Sequence, residues 1–130
     1  MITDYPILRY LYNKIGAYRS ENGAYEIELR KNHYDYVLIC NTKEKGSAFY
    51  GVLGVSNESL ELHASVGLPN IIVFSWPHAF EKIDGDITIN FKEKHDDVGL
   101  EISLAFAQSS LKVSFIIGGK VSKFYELSKA

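Results

Sequence analysis

TDYPILRYLYNKIGAYRSENGAYEIELR, residues 3–30, contains a change of period that sets the architecture of the whole chain. In its first half Ile7, Leu8, Leu11, Tyr12 and Ile15 recur at the spacing of one helical face, while Arg9, Asn13 and Lys14 fall mostly on the other. Thr3 or Asp4 suits an N-cap, Pro6 suits a first turn, and Gly16 suits a C-terminal stop. The spacing therefore predicts a short helix over about 4–15. From Ala17 onward the period is two: Tyr25, Ile27 and Leu29 alternate with Glu26, Glu28 and Arg30. A strand with one buried and one wet face produces that alternation. Asn22-Gly23, just before it, is a strong hairpin signal.

The two-residue period persists to the end of the chain. Residues 34–41 read as a more deeply buried strand, and 47–55 as a strand interrupted by Gly51 and Gly54. Glycines inside a strand imply a bulge, a sharp bend or close backbone approach. Polar turns are expected at 42–46, 56–58, 67–70 and 95–99, with a second hairpin signal at Asp84-Gly85. Pro77 ends the strand at 71–76, and Gly118-Gly119 precedes a last strand at 121–127. No connection is long enough for a parallel crossover with its own helix. The expectation is a mainly β chain: an N-terminal helix, then an antiparallel meander of eight to ten strands curling into a β-sandwich or partly open barrel. Residues 1–130 are read as a single domain, with strands from about 17 to 127.

Composition fits a packed domain. Apolar residues make up 46% and charged residues 23% of the 130 positions, which excludes a disordered chain. Nine Tyr and seven Phe against one Trp tilt the reading towards strands. The formal net charge is −2, spread evenly along the chain, so the basic footprint of a duplex-binding protein is missing and nucleic acid is not expected as a partner. Lys120, Lys123 and Lys129 near Phe124 and Tyr125 read as protection of an edge strand against pairing. The single cysteine, Cys40, permits no internal disulfide and reads as a small buried hydrophobe. With no secretory signature and no apolar run of membrane-spanning length, a cytoplasmic protein is expected.

Catalytic constellations do not emerge. His33, His63, His78 and His95 lack the close spacing of metal-ligand pairs. Asp84 and Asp86 around Gly85, and Asp96-Asp97, lack the remaining ligands of a calcium loop. There is no Gly-x-Ser-x-Gly elbow, and Gly118-Gly119-Lys120 lacks the other elements of a phosphate loop. The expectation is a binding protein with no cofactor, no metal and no enzymatic activity.

Two binding readings follow. In the first, Tyr34 and Tyr36 flank Asp35, and Glu26 and Glu28 project from the preceding strand. Aromatic side chains edged by carboxylates suit a basic protein partner, and Glu26, Glu28, Tyr34, Asp35 and Tyr36 are the expected contact residues. In size, mild acidity and single-domain character the chain resembles the immunity proteins of contact-dependent growth-inhibition toxins. That family shares no diagnostic motif, so no residue role is carried over from it. The resemblance implies a stoichiometric inhibitor that binds a cognate toxin domain, often a nuclease, and blocks its active site. In the second reading the barrel interior holds a lipid-like small molecule, with Arg19 or Arg30 and a tyrosine fixing its carboxylate. Gly16-Ala17-Tyr18 lies where lipocalins usually carry Gly-x-Trp, with Tyr in place of Trp. Fatty-acid-binding barrels place two helices after their first strand, whereas here one helix precedes it.

Overall fold

The computed structural model describes residues 5–33, 35–42, 49–65, 71–93 and 97–130. Tyr34, the expected caps Thr3 and Asp4, the turn at 67–70, most of the turn at 42–46, and the His95-Asp96 pair lie outside the described residues.

One helix, α1 (Pro6–Tyr12), is followed by ten strands: β1 (Gly16–Arg19), β2 (Tyr25–Asn32), β3 (Asp35–Thr42), β4 (Phe49–Ser56), β5 (Ser59–Ser65), β6 (Ile72–Trp76), β7 (Ile87–Glu93), β8 (Leu100–Phe106), β9 (Ser110–Ile117) and β10 (Lys120–Lys129). Each strand pairs antiparallel with its sequence neighbours, and β10 returns to β1, so the sheet closes into a barrel. Closure is narrow. Only Tyr18↔Lys129 and Arg19↔Ser128 join β1 to β10, against eight paired positions between β9 and β10. The expected antiparallel meander and barrel are both present, with the barrel closed rather than partly open.

Tight turns impose this order. Asn57 and Glu58 both have positive φ, as do Gly118 and Gly119, and each pair forms a two-residue loop between paired strand ends. Positive φ at both central residues matches the natural twist of a hairpin. Asn22-Gly23 sits in a longer turn, in which the Asn22 side chain accepts from the Ala24 amide and Gly23 N–H donates to Ser20 O. Asp84-Gly85 corrects the expectation of a hairpin. It belongs to the excursion 77–86, which leaves β6, passes beneath α1 and returns as β7. Ala79 is fully buried there and accepts from the Ile7 amide, so tertiary docking overrides the local turn signal. The glycines of β4 mark close approach: a Cβ on Gly51 would lie 2.6 Å from Leu62, and one on Gly54 2.7 Å from Asp35.

The helix is shorter than its periodicity suggests. It starts at Pro6 with Tyr5 as an extended, uncapped N-terminus, and Asn13 closes it. Lys14 and Ile15 leave the helix because the chain must turn into β1 at Gly16, whose φ is +147°. The turn is held by Tyr18, which donates to Lys14 O at 2.7 Å, and by Lys14, which donates to Ala107 O at 2.8 Å. Ile7, Leu8 and Leu11 plug one end of the barrel and Tyr36 donates to Leu8 O at 2.7 Å. Burying each of these aliphatic side chains contributes about 1.5–3 kcal/mol.

Inward positions are filled. Ile27, Leu29, Leu38, Leu53, Leu60, Leu62, Ile89, Phe91, Leu104 and Leu111 expose no surface, so no water-sized void borders them. Among the described residues no helix is long and apolar enough to cross a membrane.

Candidate functional site

On the outside of the wall, residues of alternate parity form rows that cross the strands. Arg19 of β1 stands opposite Glu26 of β2, and its Nε donates to Glu26 Oε2 at 2.5 Å. Asn41 Nδ2 reaches the other oxygen at 3.5 Å. The Arg19 guanidinium holds the Glu26 carboxyl below the usual carboxylate range, opposed by partial desolvation. One step along β2, Arg30 donates from Nε to Glu28 Oε1 at 2.5 Å and from Nη2 to Oε2 at 2.9 Å. Such a fork fixes both side chains in one plane. The two predicted glutamates therefore face solvent, each with an arginine attached.

The remaining predicted residues separate. Asp35 is exposed and sits against Gly54, at the α1 end of the same face. Tyr36 points the other way. It is 3% exposed, inside the barrel, and bonded to α1, so it is a core residue and the sequence expectation of a surface aromatic is corrected. The cause is parity: Asp35 and Tyr36 are adjacent in β3, and adjacent strand residues face opposite sides. Only one of the two can reach a partner.

What the sequence reading missed lies between these charges. Register places Glu28 beside Ile39, and Ile39 beside Tyr50. The next row runs Arg30, Val37, Val52, His63, Val73 across β2 to β6. Tyr50 is half exposed, Val73 is exposed, and Ile39 and Val52 are partly covered. The result is a shallow apolar strip on the paired wall, edged by Glu26, Glu28, Asp35 and Glu61. Those four carboxylates against Arg19 and Arg30 leave two negative charges in excess when His63 is neutral. A signal for the strip was available. Residues 36–40 are apolar without interruption, which puts apolar groups on both faces of β3. The reading of a more deeply buried strand holds on the outer face at Val37, which is 7% exposed, but not at Ile39, which is only partly covered.

Two other features bear on function. Cys40 is a buried thiol outside any disulfide, and burial pushes its pKa up, against smaller opposing effects of Tyr25, the Phe49 backbone and Lys123. A raised thiol is a poor nucleophile at neutral pH. Between α1 and the excursion 77–86 runs a groove of about 770 Å³, lined among others by Arg9, Tyr10, Lys14, Phe80, Ile83 and Asp86. Its charges are mixed, and Lys14 is already committed to Ala107 O. No group of three or more His, Cys, Asp or Glu side chains able to hold a metal gathers among the described residues.

No protein-family model, no curated protein and no solved structure matches the chain. The class that fold and surface define is a closed antiparallel barrel with a helix-plugged end and an amphipathic outer face.

Proposed function

We propose that the chain is a protein-binding module of the immunity type, which seats a cognate toxin domain on the outer face of β2–β6 and blocks its active site. The observation that carries this reading is the apolar strip Ile39, Tyr50, Val52 and Val73, edged by Glu26, Glu28, Asp35 and Glu61. A desolvated apolar centre with a charged rim is the usual anatomy of a protein interface. The excess of carboxylates suits a cationic cleft, such as one that takes nucleic acid. The arginine pairs hold Glu26 and Glu28 in place before binding, which lowers the ordering cost of the complex.

A lipid-like ligand in the interior is the weaker reading, because the inward side chains near α1 leave no void beside them.

Co-expression tests the proposal. A toxin domain encoded beside the gene for this chain should arrest growth of host cells, and the chain should restore it. A variant with Glu26, Glu28 and Asp35 changed to alanine, together with Tyr50→Ala, should keep its circular dichroism and lose affinity by about 2 kcal/mol or more, roughly thirtyfold. Full rescue by that variant would place the interface elsewhere. Failure of the unaltered chain to rescue would remove the immunity reading.

A further inference from the structure

The groove between α1 and the excursion 77–86 holds charges of both signs that do not meet. Its sides are tied together: Ile7 N–H donates to Ala79 O at 3.5 Å, and the rings of Tyr5 and Phe80 lie 4.5 Å apart. Tyr10, Phe80 and Ile83 supply apolar lining. Charged lining comes from Arg9 on α1 and from Lys82, Asp84 and Asp86 on the excursion, all four exposed. Of the three arginines in the chain, Arg19 holds Glu26 and Arg30 holds Glu28. Arg9 holds no carboxylate, although two line the same groove. Among the described residues, no ion pair and no side-chain hydrogen bond engages Arg9, Lys82, Asp84 or Asp86. Asp86 nevertheless faces α1, close enough to the Tyr10 phenol to add to the upward push on its pKa.

This lining selects an occupant. A ligand of one sign would be attracted by one pair of side chains and repelled by the other. A wholly apolar ligand would desolvate charges without replacing their hydration. A molecule with an ammonium and a carboxylate on an apolar body answers every part of the lining. Its carboxylate suits Arg9, whose planar fork matches two oxygens. Its ammonium suits the Asp84–Asp86 side, and its apolar body suits Phe80 and Ile83. The volume of about 770 Å³ lies in the range of small-ligand sites, and a single amino acid would leave much of it to water. We propose that this groove binds a short unblocked peptide by its two termini, Arg9 taking the carboxylate and Asp84 with Asp86 the ammonium. Because the two sides are already held together, little ordering accompanies binding. The groove lies apart from the β2–β6 face and does not depend on the toxin reading.

NMR titration of the full chain tests it with defined probes: the unblocked tripeptide alanyl-leucyl-alanine, its N-acetylated form and its C-amidated form. The unblocked peptide should give saturable shifts at the amides of Arg9, Tyr10, Ile83 and Gly85. Acetylation and amidation should each weaken binding by about tenfold or more, since each removes one charge-assisted contact. Arg9→Gln should make binding indifferent to amidation while keeping the penalty for acetylation. Asp84→Asn combined with Asp86→Asn should do the reverse. These three side chains are exposed, so both variants should keep the circular dichroism of the unaltered protein. Shifts that are absent or do not saturate, equal binding of blocked and unblocked peptides, or a variant that keeps both preferences would each overturn the proposal. So would saturable shifts confined to the β2–β6 face.

Discussion

The two ends of the barrel are closed by different means. At one end a separate element does the work: α1 inserts Ile7, Leu8 and Leu11, and Tyr10 and Tyr18 each meet Phe106 edge to face. Among the described residues, the strand ends at the other end are lined with rings. Tyr25 stacks on Tyr125 at 3.6 Å, Phe49 meets Phe115 edge to face at 5.9 Å, and Ile72, Leu100, Phe115 and Tyr125 are only partly buried. A plug delivers fully buried aliphatic groups, whereas a ring of strand side chains leaves some of each ring in water. Among the described residues the fully buried plug lies at the α1 end, so truncation there is expected to cost more than truncation of a partly wet ring at the far end.

The sharpest way to break this comparison is by truncation. Leu11→Ala removes a side chain with no exposed surface and should cost about 2–5 kcal/mol, as measured by urea unfolding. Phe115→Ala at the far end removes a larger but partly wet ring and should cost less, about 1–2 kcal/mol. Equal losses would abolish the distinction between the ends.

Alkaline titration comes next. Burial raises the phenol pKa of Tyr10, Tyr18 and Tyr36, all at the α1 end, and Tyr10 is pushed up to about 12, with a further push from Asp86. A folded pKa above the unfolded one means that the neutral phenols stabilise the fold fully below about pH 10. That contribution is lost as pH rises through the folded pKa. Phenolate absorbance of these tyrosines should therefore appear late and together with loosening of α1. Loss of the Tyr25–Tyr125 end first would contradict the assignment.

Smaller effects sharpen the contrast. Tyr36→Phe leaves Leu8 O without its buried donor and should cost about 0.5–1.5 kcal/mol. Glu26→Gln breaks an exposed ion pair on the outer wall and should cost under about 1 kcal/mol at neutral pH. Because Arg19 holds Glu26 below its unfolded value, this contribution exists above the unfolded pKa and is lost as pH falls through the folded one. The unaltered protein should consequently lose more stability on acidification than the glutamine variant. A steeper acid limb in the variant would reverse the sign.

Strand identity was legible almost everywhere, because alternation such as Leu100, Ile102, Leu104, Phe106 is a local pattern that burial of one face enforces. Failures occurred where a distant contact decided the outcome. Asp84-Gly85 has the chemistry of a hairpin turn, but Ala79 docks under α1 and draws the segment out of the sheet. Ile15 keeps helical spacing but leaves the helix, because Gly16 starts β1. The candidate site was half legible. Glu26, Glu28 and Asp35 do face outward, whereas Tyr36 was assigned to the same surface as its neighbour, against the parity of the strand. Tyr50, Val52 and Val73 were unreadable as a group, since sequence positions so far apart meet only through register.

From the sequence alone came the helix-to-strand switch, the antiparallel connectivity that short turns enforce, and the absence of strong net charge. These are local or summed quantities, and each residue contributes to them whatever its distant neighbours do. Closure of the sheet by two residue pairs, the plug formed by α1, and the apolar strip between ion-paired edges came only from the tertiary structure. They arise when strands far apart in sequence settle into one register, and that choice is made by packing across the whole barrel.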